Sequence, residues 1–427
     1  MSVASLTSSR SFRAAALFTL SALAVTTAGC SAAEGDLDSD LDVGASTDAI
    51  TDVDHSAVKR QSIGNCWIYA TASWAESLNK AATQKEANLS ESYWTYWHWF
   101  EQIANGGFAS EISTGGSYGV SVGLIQRYGL MNEVDFIPSE ATAEMSGRQA
   151  SALSAINTSL KSGALKDRAA RRNRATVRRE LDKAWGLDAK VVADLDSVFG
   201  TTVSRTLDRG TGAMPTGSKV LRAKDFPARV KETSTGAFKT VTLQDAVGTR
   251  TGVFGSPSPY AWKTVRYPFD ARGRRDFLKR VQRAAHDNQP VILSWFVDFN
   301  ALDTNGRFMA PPASPGRQGG HMTVLEDYQI DNVPGFGTLK AGQLETRPEA
   351  LSAALDDSAR IDFLRVKNSW GSSRADRQFV IPGYHDLYMR YLNGPVAQCE
   401  ERADGTTDTE NCSDETPLWD ATLPAGY

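Results

Sequence analysis

Residues 61–69 read Gln61-Ser62-Ile63-Gly64-Asn65-Cys66-Trp67-Ile68-Tyr69. A helical pattern starts at Asn65, with Trp67, Ala70, Trp74 and Leu78 recurring at three- and four-residue spacing. Cys66 therefore falls at the mouth of a helix. A free thiol has a pKa near ~8.5 and is mostly protonated at neutral pH, and a helix N-terminus or a neighbouring imidazolium lowers it. The first device is built into the local sequence, and Gly64 lets the chain turn tightly just before it. Gln61 carries an amide that can donate to the oxyanion of a tetrahedral intermediate, together with the Cys66 backbone N–H. The plainer reading makes Cys66 a small buried apolar residue, as cysteines commonly are.

A thiol at a helix mouth needs a base, and the chain holds five histidines. His55 lies in an acidic entry segment, His98 on a Trp-rich helix, His286 at the end of an amphipathic helix and His385 after a turn. Each reads as structural or exposed. His321 follows Gly319-Gly320 and opens a predicted strand, where an imidazole can stand in a cleft with little obstruction. Further on comes Lys367-Asn368-Ser369-Trp370-Gly371. An Asn carbonyl can accept from one imidazole nitrogen and hold the ring aimed at a thiol, and an adjacent Trp can keep water from that bond.

In this order, Gln followed by Gly-x-Cys-Trp, then Gly-His opening a strand, then Asn-Ser-Trp-Gly resembles the papain family of cysteine peptidases. The closer resemblance is to the bleomycin hydrolase (aminopeptidase C-like) branch. It rests on Leu89-Ser90-Glu91-Ser92-Tyr93, on Gly115-Gly116 and Gln126-Arg127-Tyr128-Gly129-Leu130, on Lys161-Ser162-Gly163-Ala164, and on Asn288-Gln289-Pro290-Val291. The resemblance covers roughly residues 60–392. It implies an α+β, papain-like two-lobed fold: a helical lobe, a β-rich lobe, a cleft between them and an inserted helical subdomain. It also implies Cys66 as nucleophile, His321 as base and acid, Asn368 as orienter and Gln61 as oxyanion donor. Gly115, Gly116, Trp67 and Trp370 would meet an extended peptide substrate. Four residues separate Gln61 from Cys66, one fewer than is usual in the family.

Around this constellation the chain divides into a signal peptide over 1–29, an acidic tether over 30–52 and a peptidase domain over 53–427. Arg10 and Arg13, an apolar run over 14–25 and Thr27-Ala28-Gly29-Cys30 follow the order of a secretory signal. The ending resembles a bacterial lipoprotein signal, which makes Cys30 the expected lipidation site. Simple cleavage into the periplasm or medium is the alternative. Residues 139–250 are expected to be a helical insert, which accounts for the 255 positions between Cys66 and His321. The insert carries a basic run of Arg168, Arg171, Arg172, Arg174, Arg178 and Arg179, without interleaved aromatics, which reads as a solvated, charge-paired helix face. Short strands are expected at 290–296, 321–328, 361–367 and 379–381.

The chain has four cysteines. Cys399 and Cys412, in a polar loop of a C-terminal tail over 393–427, are expected to pair as a disulfide, leaving Cys66 as a free thiol. Residues 417–427 are expected to fold back towards Cys66 and favour aminopeptidase action, as the resemblance suggests. A net charge of −4 gives no reason to expect nucleic acid. The scattered histidines offer no metal-ligand spacing, and no phosphate-binding loop is present, so no cofactor is expected. Two other readings stand beside the peptidase. One is a catalytically silent surface lipoprotein that keeps the fold as a binding module. The other is an amidase or transglutaminase-like enzyme with the same triad.

Overall fold

The structure, a computed structural model, describes residues 55–106, 110–208, 213–232, 235–248, 258–373, 381–402 and 406–427. The expected signal peptide over 1–29, Cys30 and the expected tether over 30–52 lie outside the described residues.

The chain starts with helices. α1 (Cys66–Thr83) runs past the periodic stretch because Lys80, Ala81 and Ala82 are strong helix formers. It stops at Gln84, whose left-handed backbone (φ 58°) returns its N–H to Lys80 O. α2 (Glu91–Glu101) is capped by Ser90, whose side chain accepts the Tyr93 N–H. Tyr93, Trp94, Tyr96, Trp97, Trp99 and Phe100 of α2 are all buried, as are its polar Glu91, Ser92, Thr95 and His98, so this helix is enclosed on every side and contributes its six aromatic rings to the helical core. α3 (Tyr118–Tyr128) and α4 (Glu133–Phe136) follow.

Four more helices lie in the region expected as an insert: α5 (Gly147–Ser162), α6 (Arg168–Arg172), α7 (Arg174–Trp185) and α8 (Ala189–Phe199). The basic run is not a purely solvated face. Arg171 is buried and donates to the carbonyls of Leu165 (2.6 Å) and Leu160 (3.0 Å). Arg178 is buried between Asp182 (3.6 Å) and Asp196 (3.3 Å), with its guanidinium over the Tyr96 and Trp97 rings. These arginines satisfy backbone and aromatic groups that helix packing leaves inside, a use that composition alone does not reveal.

A hairpin of β1 (Pro227–Lys231) and β2 (Phe238–Thr242) and the short α9 (Leu243–Ala246) lead to the second lobe. There β3 (Lys263–Arg266) precedes α10 (Ala271–His286), β4 (Ile292–Asp298), β5 (Arg307–Phe308), β6 (Gln318–Val333), β7 (Gly337–Leu339), α11 (Pro348–Ala353) and β8 (Arg360–Lys367). β9 (Tyr384–Tyr388), α12 (Met389–Leu392), β10 (Val396–Glu401), β11 (Thr407–Glu415) and β12 (Leu418–Leu423) complete it. Of the strand expected at 379–381, residues 379 and 380 lie outside the described residues and Ile381 is a bend.

The main sheet has the order β3-β12-β4-β6-β8-β9-β5, with β7 also on β6; β5 and β9 pair in parallel and the other pairs are antiparallel. The fold is α+β with two cores. The helical core reaches onto Ile292, Met322 and Val324 of the sheet, while Leu293, Trp295 and Leu325 belong to the second core on the sheet's other side.

Two expectations for the C-terminal region need correction. Cys399 and Cys412 do form a disulfide, but they face each other across the β10–β11 hairpin rather than in a loop. The final residues do not fold back towards Cys66. β12 lies inside the sheet, paired with β3 on one side and β4 on the other. Tyr427 is then tied to α10, where its carbonyl accepts from Arg280 and its hydroxyl donates to Asp287 (2.5 Å) just beyond the helix. Burial of Leu418, Ala421 and Leu423 gives this strand a stronger pull towards the sheet than a cleft would offer.

Candidate active site

Cys66 is the first residue of α1. Asn65, before it, does not cap the helix with its side chain; its amide donates instead to Thr95 Oγ1 (3.0 Å) and Gln149 Oε1 (2.9 Å). The positive end of an 18-residue helix is thus presented at Cys66 without a side-chain cap.

The loop before Cys66 is fastened to the loop after β8. Gln61 N–H donates to Ser369 O (2.9 Å), Ser369 Oγ donates to Gln61 Oε1 (2.6 Å), and Gln61 Nε2 donates to Ile63 O (2.8 Å). Gly371 N–H reaches Lys59 O (3.3 Å). These contacts bring Gln61 and the strand end that carries Asn368 together across more than 300 positions of chain.

His321 sits near the start of β6, directly opposite Trp295 of β4. His321 Nε2 and Asn368 Oδ1 are 2.7 Å apart. The same Oδ1 accepts the Ser369 backbone N–H (2.7 Å), and a backbone N–H can only donate, so the Asn368 amide is oriented with its oxygen towards both. An oxygen acceptor requires the proton on His321 Nε2. In the neutral ring Nδ1 then carries a lone pair, and Nδ1 is buried without a hydrogen-bond partner among the described residues. A lone pair of this kind is what a general base offers.

Aromatic rings enclose this imidazole. Trp370 stacks on it at 4.7 Å and 23°, Trp295 meets it edge-on at 5.5 Å, and His385 meets the edge of Trp370 at 5.1 Å. Burial pulls the His321 pKa from 6.5 down to about 4, against the opposing pull of the Asn368 hydrogen bond. Replacing Trp370 with Ala should admit water and raise the His321 pKa from about 4 towards 6.5. An NMR titration of the imidazole C–H protons reads this directly, and an unmoved value would refute the shielding role.

Cys66, His321 and Asn368 are 0 %, 3 % and 2 % exposed. The expectation of a free thiol is not met. Cys66 is disulfide-bonded, and its partner lies outside the described residues. The form described here is therefore closed and oxidised, with the sulfur unavailable as a nucleophile until it is reduced.

The remaining expected residues are packed rather than open. Trp67 is fully buried, donates from Nε1 to Thr114 O (2.9 Å) and meets His98 edge-on. A Cβ on Gly116 would come within 2.4 Å of the Trp67 ring, so glycine is required there by close packing. Gly115 is buried beside it. Trp370 is fully buried, so in this form neither tryptophan presents surface to a substrate. The sequence does not reveal the places of Trp295, Ser369 and His385 around the His321–Asn368 pair, and in it His385 reads as structural or exposed. Only Ser369 had a signal, as the neighbour of Asn368; the other two depend on strand register.

No protein-family model matches this chain, and no curated protein matches it. Among solved structures it is similar to PepW from Lactobacillus rhamnosis HN001, at 13% identity over 88% of this chain and 81% of that one, with a TM-score of 0.42. It is also similar to xylellain, a cysteine protease from Xylella fastidiosa, at 11% identity over 93% and 96% of the two chains, with a TM-score of 0.32. The bromelain protease from Ananas comosus, solved with the E64 inhibitor, is similar at 13% identity over 87% and 94%, with a TM-score of 0.30.

Proposed function

We propose that the reduced form of this chain is a papain-like cysteine peptidase. The observation that carries this reading is the His321–Asn368 pair, with its Nδ1 lone pair unpartnered and its Nε2 proton fixed, beside a helix that begins at Cys66. In the proposed reaction His321 Nδ1 takes the thiol proton and Cys66 Sγ bonds to the peptide carbonyl carbon. The oxyanion is met by the Cys66 N–H and the Gln61 amide. The C–N bond breaks as His321 returns the proton to the leaving amine. Water, deprotonated by the same nitrogen, then releases the acid and restores the thiol.

The test uses peptides with free and acetylated N-termini, cleaved by reduced wild type and by His321→Ala and Asn368→Ala. His321→Ala should lower kcat/KM by roughly 10³-fold or more, and Asn368→Ala by a smaller factor, about 10–100-fold. Since the C-terminal residues are held in the sheet, we expect cleavage inside chains, with acetylated peptides still cut. Loss of only the acetylated substrates would make the enzyme an aminopeptidase. Folded variants that cut as fast as wild type would remove the triad.

The binding-module reading has an observation of its own: Cys66 is oxidised and fully buried. We propose separately that the chain is exported and lipidated at Cys30; with Cys399 and Cys412 paired to each other, a lipid on the Cys30 sulfur leaves Cys66 no disulfide partner within the chain, so the lipidated form is one with a free Cys66 thiol. A lipid on Cys30 would occupy its sulfur as a thioether, so the intact mass of the matured chain with thiols alkylated before and after reduction tests it.

A further inference from the structure

Behind the His321–Asn368 pair lies a buried polar cluster that the reaction above does not use. Lys59 Nζ is held by Glu91 (2.8 Å), Glu133 (3.1 Å) and Leu89 O (3.2 Å), and Glu76 accepts the Leu89 N–H (2.7 Å). Next to it a cavity of about 10 Å³, room for one water, is lined by Lys59, Tyr69, Ser73, Glu91, Lys367 and Asn368, among others. Lys367 is buried on the α1 side of the sheet, and its ammonium donates to Ser73 Oγ (2.9 Å) and Ser56 Oγ (3.0 Å). Ser73 lies two turns below Cys66 on α1, and Lys367 is the residue before Asn368. One side chain thus ties the strand end that aims the imidazole to the helix that carries the sulfur.

We propose that Lys367 is a positioning residue whose ties to Ser73 and Ser56 set the placement of the His321–Asn368 pair relative to Cys66. This rests on the peptidase reading for its consequence, though not for its geometry. The charge is held at a cost. Burial pulls the ammonium's pKa from 10.5 down to about 8; Lys59 acts in the same sense, while Glu76 of α1, Glu91 of α2 and Glu326 of β6 oppose it. His55, which also faces Lys367, is kept neutral by burial and so adds no charge near pH 7. A folded-state pKa below the unfolded value means that the ammonium weakens folding at neutral pH, and that this penalty fades as pH rises from about 8 towards 10.5. A side chain that disfavours folding and is nonetheless tied to the strand end beside Asn368 is one that serves the site.

The experiment compares Lys367→Met, Ser73→Ala and the double variant in the reduced full chain. Three quantities are read: the rate of epoxide labelling at Cys66, the thermal midpoint, and the NMR signal of the His321 Nε2 proton. Lys367→Met should label about 10–100-fold more slowly while melting at or above the wild-type temperature, and its Nε2 proton should shift and exchange faster. Ser73→Ala should act in the same direction more weakly, and the double variant should label no more slowly than Lys367→Met alone. Wild-type labelling and an unmoved Nε2 proton in Lys367→Met would overturn the proposal. If reduced wild type does not label at all, the peptidase reading fails, and the Nε2 proton alone still decides whether Lys367 positions His321.

Discussion

Treated with a dithiol reductant, the full chain should take up one equivalent of an epoxide that alkylates activated thiols, and the adduct should map to Cys66. Without reductant it should take up none. The sulfur is tied in a disulfide in the form described, and a disulfide sulfur has no thiolate to attack with. Once freed, it stands at the N-terminus of α1, which packs on β6, and its proposed base is His321 of that strand, whose Nδ1 is buried without a hydrogen-bond partner among the described residues. Cys66→Ala should abolish the adduct, and His321→Ala should slow labelling by roughly 10²-fold or more, because the helix terminus alone lowers a thiol pKa only in part. Mass spectrometry of the intact and digested protein measures all of this. Equal labelling with and without reductant would contradict the oxidised state of Cys66. A reduced, folded protein that takes up no label would move the binding-module reading to the front.

What the sequence shows of this molecule follows from the range of the forces involved. The α1 pattern of Trp67, Ala70, Trp74 and Leu78 is local, and α1 begins one residue before Trp67. The strands at 290–296, 321–328 and 361–367 contain enough β-branched and aromatic residues to be seen, and β4, β6 and β8 cover them with shifted ends. β6 runs on to Val333 because Gln329 and Asp331, which look like loop residues, pair with β8, while Ile330 and Val333 pair with β7. Register is a different matter. That Trp295 faces His321 depends on which strands meet, and no local pattern carries it.

Chemical state is equally hidden. The motif resemblance draws attention to His321 and Asn368, but the assignment of the proton to Nε2 comes from the Ser369 N–H that fixes the Asn368 amide. A cysteine at a helix mouth reads the same whether reduced or oxidised. Arg178 looks like one more charge on a solvated helix, because the Asp182, Asp196, Tyr96 and Trp97 groups that justify its burial come from three different helices. The same limit explains β12. Leu418-Trp419-Asp420-Ala421-Thr422-Leu423 is short, near a proline and followed by small residues, so in isolation it resembles a loose end. Its partners β3 and β4 begin 155 and 126 positions earlier.

Removing residues 417–427 should therefore unfold the sheet lobe rather than change how peptides are cut. β12 fills the gap between β3 and β4, so the deletion leaves β3 without a partner and turns β4 into an edge. It takes away two fully buried leucines, Leu418 and Leu423, each worth about 1.5–3 kcal/mol. It also strands backbone donors now satisfied by this segment, among them Phe296 N–H on Pro417 O (2.8 Å) and Tyr267 N–H on Trp419 O (2.8 Å), at about 1–3 kcal/mol each where they remain buried. Against a typical total stability of about 5–15 kcal/mol, the combined loss is enough to abolish cooperative folding. Circular dichroism melts and limited proteolysis of the truncated chain measure this, and the expected result is a protein without a sharp transition that is cut throughout residues 258–402. A truncated chain that melts like wild type would mean that β12 is dispensable to the sheet. The tail would then be available to the cleft, and comparison of acetylated with free-amine peptides in the truncated enzyme would show whether it restricts cleavage to chain ends.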